Sequence, residues 1–68
     1  MRTFIEILND STVTYVRDLA RYGWEVPAAT PGWEACSPAG EIKHFDTRAE
    51  AETWRRAEVR EAFALTQF

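Results

Sequence analysis

The sequence predicts a small α+β domain: an antiparallel sheet of three to four strands with two helices packed on one face. Three observations predict it. An alternating apolar stretch lies near the start, a hairpin pattern runs from Trp33 to Phe45, and a helix signature opens at Thr47.

The elements follow in chain order. Thr3 to Leu8 reads as a strand, because Phe4, Glu6 and Leu8 alternate against Ile5 and Ile7. Asn9-Asp10-Ser11 ends it with turn and cap residues. The stretch from Thr12 to Tyr22 opens with strand-forming residues, yet Val13, Val16, Leu19 and Ala20 fall on one helical stripe. Asp10 or Ser11 can cap such a helix and Gly23 can close it in the left-handed conformation, so the expectation is a helix over residues 12–22, with a β-hairpin as the alternative. Trp24-Glu25-Val26 starts a short strand, expected over 24–27 and limited by Pro27. The segment from Pro27 to Gly32 is a loop, since two prolines deny ladder donors.

Residues 33–36 and 41–45 form the hairpin, with Ser37-Pro38-Ala39-Gly40 as its turn. Thr47-Arg48-Ala49-Glu50 is a capping box in which the Thr47 hydroxyl accepts from the Glu50 amide and Glu50 reaches back to the Thr47 amide. A helix over 47–65 follows. Ala51, Trp54, Ala62 and Leu65 would share one face, but Glu58 interrupts it, and Val59 and Phe63 form a second apolar pair. Either the helix breaks near Arg56-Ala57 or its second half buries a different face, against a partner for example.

A chain of 68 residues has room for one domain, expected over 1–68. Such a chain buries only about 60% of its unfolded surface, and its core supplies about 3–5 kcal/mol. One cysteine, Cys36, excludes an internal disulfide, and one cysteine with one histidine falls short of a zinc site, so no cofactor or metal is expected. Nine aromatic residues are too many for one thin core, so some are expected at the surface, where Trp and Tyr serve as binding anchors. The formal charge of −3 disfavours direct binding to phosphate backbones. No apolar run suits a membrane, no signal-peptide pattern is present, and the lone thiol fits a reducing compartment, so a cytoplasmic location is expected.

Cys36 and His44 are the one nucleophile–base pair to weigh. With a four-residue turn, Cys36 would lie opposite Glu41 and His44 opposite Trp33, about 10 Å along the strand and far outside dyad range. No phosphate loop, H-E-x-x-H or C-x-x-C element is present, and a non-enzyme is expected. The mixed charges around Glu52, with Glu52 to Arg56 as an i,i+4 pair, suit a solvated helix face. The candidate partner-binding residues are Tyr15, Tyr22 and Trp24, grouped around the end of the residue 12–22 segment, with Arg55 and Arg56 as the cationic candidates.

Two stretches, Met1 to Leu8 and Phe45-Asp46-Thr47-Arg48-Ala49-Glu50-Ala51-Glu52-Thr53-Trp54, resemble the type I-F anti-CRISPR inhibitors, small phage proteins with a four-stranded antiparallel sheet packed against helices. The shared feature is a strand ending in Phe-Asp, a Ser/Thr cap, then Glu-(Ser/Thr)-Trp inside a helix. That resemblance implies a non-enzymatic inhibitor in the host bacterial cytosol, binding a bacterial CRISPR surveillance complex and blocking DNA recognition or nuclease recruitment. The surface tyrosine of that family's first strand is replaced by Ile7, and only Tyr22 can stand in for it. Leu19 to Trp24 is similar to the helix–Gly–sheet junction of HicA-type RNA-cleaving toxins, but Lys43-His44-Phe45 is all that stands for their Gly-Ser-His element. A nucleic-acid-associated domain of that type and a self-associating structural protein, a homodimer held through Val59 and Phe63, are the alternatives.

Overall fold

A computed structural model describes residues 3–66. The order of elements is helix α1 (Phe4–Asn9), strand β1 (Thr12–Val16), a 3-10 turn (Leu19–Tyr22), strand β2 (Gly32–Cys36), strand β3 (Ile42–Phe45) and helix α2 (Arg48–Leu65). The α+β class holds, with a three-stranded antiparallel sheet in the order β1-β2-β3. The strands form a simple meander.

Two of the expected elements exchange their character. Residues 3–8 do not form a strand. Thr3 caps a helix with a complete capping box, its hydroxyl accepting from the Glu6 amide at 3.2 Å while the Glu6 carboxylate accepts from the Thr3 amide. The apparent alternation is not used, since Ile7 is the one buried side chain of α1.

Residues 12–22 are not a continuous helix. Thr12–Val16 pairs with β2, matching the strand propensity of Thr-Val-Thr-Tyr-Val. The helical stripe of Val16 and Leu19 is real burial, shared between a strand and the turn after it. Asp18 caps that turn by accepting from the Ala20 amide, and Gly23 ends it at φ 88°, the left-handed conformation expected of it. Residues 24–27 form no strand. The Val26 amide donates to the Trp24 carbonyl two residues back, which curls the backbone away from a ladder.

The β2–β3 hairpin is present, with a loop one residue longer than expected. Cys36 pairs with Ile42 and Glu34 with His44. The Ser37 hydroxyl accepts from the Glu41 amide, and the Ser37 amide donates to the Glu41 carbonyl, so Glu41 belongs to the turn. The one-residue shift changes which side chains share a face.

Helix α2 runs unbroken past Arg56-Ala57. The Thr47 hydroxyl accepts from the Glu50 amide at 3.2 Å, and it also donates to the Glu50 carboxylate, so the return leg meets the hydroxyl rather than the amide. The helix lies on the face of the sheet that carries Val13, Tyr15, Trp33, Ala35 and Phe45. Phe45 meets Trp54 there, and the Arg48 guanidinium lies over the Trp33 ring. The second half of α2 packs against α1, where Phe63 and Phe4 make an edge-on contact at 5.6 Å.

Among the described residues the buried hydrophobic side chains are Ile7, Val16, Leu19, Ala35, Ala51 and Val59. Among the described residues no aromatic is fully buried; Trp24, Trp33, Phe45, Trp54 and Phe63 are half-buried, and Phe4, Tyr15 and Tyr22 are exposed. The core is aliphatic and thin. Phe68 lies outside the described residues.

Candidate interaction surface

Trp24 defines the second face of the sheet. Gly23 reverses the chain at the end of the 3-10 turn, and the Trp24 amide returns to the Leu19 carbonyl, which anchors the residue close to the turn. From there the indole lies over Glu34 and His44, which are paired across β2 and β3 on the side away from α2. Its Nε1–H donates to Glu34 Oε2 at 3.1 Å, and its ring meets the His44 imidazole at 5.0 Å. A half-buried indole with its polar atom satisfied is a stable platform.

Beside it opens a hollow of about 460 Å³ lined by Tyr22, Gly23, Trp24, Glu34 and Ile42. Tyr22 is 70% exposed and Ile42 52% exposed, so two large side chains stand at the rim with little packed on them. A second hollow of about 350 Å³ lies at the end of β1, lined by Tyr15, Val16, Arg17, Asp18, Arg21 and Tyr22. Tyr22 is the wall common to both. Tyr15 stands on the helix-bearing face, edge-on to Trp33 at 5.4 Å.

The aromatic candidates are thus brought together around Tyr22. The cationic ones are not. Arg55 is half-buried and donates to the Ser11 hydroxyl at 2.7 Å, to the Leu8 carbonyl at 3.2 Å and to the Ser11 carbonyl at 3.4 Å. Its guanidinium is a clasp between α2 and the α1–β1 corner, with Glu52 alongside at 3.7 Å. Arg56 is exposed on α2, away from the Trp24 face. Glu52 pairs with Arg48 and Arg55 rather than with the expected Arg56.

Glu34, Ile42 and His44 lie outside the partner-binding residues expected from the sequence, where His44 was weighed only as a base. Their signal was the hairpin register. With Glu34 opposite His44 and Cys36 opposite Ile42, all four fall on one face, and a five-residue turn was needed to see it. The same register leaves Cys36 and His44 diagonal to each other, positions about 7–8 Å apart in an antiparallel pair. The Cys36 thiol points to the Ser37 carbonyl at 3.6 Å, and His44 lies against Trp24. Among the described residues no group of three His, Cys, Asp or Glu side chains is placed to hold a metal, and no helix is long and apolar enough to cross a membrane.

Compared with protein families, curated proteins and solved structures, the chain matches none.

Proposed function

We propose that the chain is a non-enzymatic protein-interaction module whose anchor is the Tyr22–Trp24 surface. The observation that carries this reading is the hollow around Tyr22, where an exposed tyrosine, a fixed indole and an exposed isoleucine surround one carboxylate. Rigid aromatics rimmed by a few polar groups are the usual composition of binding hot spots. The indole is already held by Glu34 and His44, so a partner meets a platform whose ordering cost has been met.

In its specific form the proposal names a bacterial CRISPR surveillance complex as partner and inhibition as the outcome, acting in the bacterial cytosol. Its support is the resemblance at Phe45–Trp54. That stretch does leave a strand at Phe45, cap at Thr47 and carry Trp54 inside a helix. The resemblance at residues 1–8 lends less, because residues 4–9 are a helix. The nucleic-acid alternative loses one of its two arginines to the Ser11 clasp.

The test is co-elution with a purified type I-F surveillance complex, with and without nuclease treatment. Stoichiometric, nuclease-resistant co-elution that Tyr22→Ala weakens at least tenfold supports the specific form. Absence of co-elution removes the CRISPR partner, and binding that Tyr22→Ala leaves unchanged removes the anchor.

A further inference from the structure

The two faces of the sheet treat their indoles differently. On the helix-bearing face the Arg48 guanidinium lies over the Trp33 ring at 5.8 Å, with its Nε 3.8 Å from the Glu52 carboxylate. Lys43, on that same face, lies over the Phe45 ring at 5.6 Å. The Trp24 face has the indole and the carboxylate of this arrangement, but no cation of the described chain joins them. Glu34 Oε2 accepts from the Trp24 Nε1–H. Among the described residues Glu34 makes no ion pair, its Oε1 accepts no hydrogen bond, and no Lys or Arg lies over the Trp24 ring. The arginines nearest to Tyr22 in sequence, Arg17 and Arg21, line the second hollow, and Arg21 is paired with Asp18 at 3.5 Å.

Glu34 restricts what can cover the hollow. An apolar group closing over it would strip water from a carboxylate and leave that charge unpaired. An anion would meet like charge. A cationic side chain reverses both terms, since Glu34 supplies the counter-charge and the Tyr22 and Trp24 rings supply electron-rich surface in the same hollow. Arginine suits it better than lysine. A guanidinium is flat and weakly hydrated, so it can lie on a ring while an in-plane N–H donates to a carboxylate oxygen. The hollow is also open at Gly23, where an added methyl group would meet no atom within 4 Å, so a long side chain can enter there.

We infer that the Tyr22–Trp24 hollow takes an arginine side chain of a protein partner, with Glu34 as its counter-ion. The inference rests on the reading of this surface as the binding anchor, and it adds the chemistry of what the anchor holds. Glu34 then has two tasks: Oε2 fixes the indole, and Oε1 selects the charge of the incoming group.

Nuclear magnetic resonance of the isotope-labelled full chain, titrated with a capped Gly-Arg-Gly peptide, tests this. The signals to follow are the Trp24 indole Nε1–H and the Glu34 amide. Matched peptides carry lysine, or citrulline as the uncharged isostere of arginine. The arginine peptide is expected to move both signals and to bind at least fivefold tighter than the citrulline peptide, with lysine between them. Glu34→Gln keeps an acceptor for the indole but removes the charge, and it is expected to reduce arginine binding to the citrulline level. Equal binding of arginine and citrulline, lysine binding as tight as arginine, or no movement of either signal at tens of millimolar peptide overturns the assignment. So does arginine binding that Glu34→Gln leaves undiminished. The arginine–citrulline difference is read on the unaltered chain, so it decides the matter even where Glu34→Gln disturbs the sheet. Co-elution with the surveillance complex separates the two readings. Binding that Tyr22→Ala leaves unchanged removes the anchor, whereas binding that Tyr22→Ala weakens and Glu34→Gln does not keeps the anchor and removes its arginine.

Discussion

Arg55 and Ser11, 44 positions apart in the chain, are joined by a 2.7 Å hydrogen bond from Nε to Oγ. Ser11 is 3% exposed, and its hydroxyl in turn donates to the Leu8 carbonyl at 2.6 Å. The guanidinium therefore ties a buried hydroxyl and two backbone carbonyls of the α1–β1 corner to the middle of α2.

Arg55→Met is expected to destabilise the fold by about 2–3 kcal/mol, because hydrogen bonds from a charged donor are lost at buried acceptors. Against a total of about 3–5 kcal/mol that leaves little folded protein at physiological temperature. Urea denaturation at low temperature measures it. A double-mutant cycle with Ser11→Ala should give a coupling of about 1–2 kcal/mol; additive effects would show that the clasp carries no energy.

Gly32 offers a steric test of the β1–β2 end. A methyl group there would lie 2.6 Å from Leu19 Cδ1 and 3.0 Å from the Phe45 carbonyl oxygen. Gly32→Ala is expected to cost about 1–3 kcal/mol by overpacking. Gly23→Ala meets no neighbour and costs only the strain of φ 88°, about 1 kcal/mol. A reversed order in thermal denaturation would contradict the packing described for Leu19.

The two helix caps should separate by reach. Thr47→Ala removes the acceptor at the start of an 18-residue helix and is expected to lower global stability by about 1 kcal/mol. Thr3→Ala acts on a six-residue helix, and its expected sign is faster amide exchange over residues 4–9. Exchange measured residue by residue checks both. Uniform acceleration in Thr3→Ala would mean that α1 unfolds only with the whole domain.

On the second face of the sheet, Tyr22→Ala should change stability by no more than about 0.5 kcal/mol, as an exposed ring with few contacts. Trp24→Phe should cost about 1 kcal/mol through loss of the Nε1–H bond to Glu34. Tyr22 is consequently the cleaner probe of binding, because changes at Trp24 also disturb the sheet. Equal losses of stability at the two positions would refute the described packing of the indole.

The hairpin and α2 were legible because their signals are local: a turn with Pro38 and Gly40, and a cap at Thr47. The start of the chain was misread although it carries the same kind of cap, Thr3 with Glu6 three residues on. Alternation of Phe4 to Leu8 outweighed it, and that pattern does not correspond to burial. In residues 12–22 a helical period arose from Val16 and Leu19, two side chains of different elements that enter one core from either side of a turn. Periodicity cannot tell that case from a helix. Arg55 was the hardest to read, since a cation on the inner side of a helix needs the distant Ser11 to explain it. For the surface, the tyrosines and Trp24 were readable as aromatic excess, whereas Glu34, Ile42 and His44 depended on a register set by one extra turn residue.

The Ser11–Arg55 clasp also makes the two ends of the described chain depend on each other. Helix α1 comes first in chain order, yet its side chains settle against α2, the last described element. The three strands pair among themselves, whereas the α1–β1 corner is tied down by a guanidinium from the far end of the sequence. Any change that frays the middle of α2 is therefore felt first at α1, the element most distant from it in sequence.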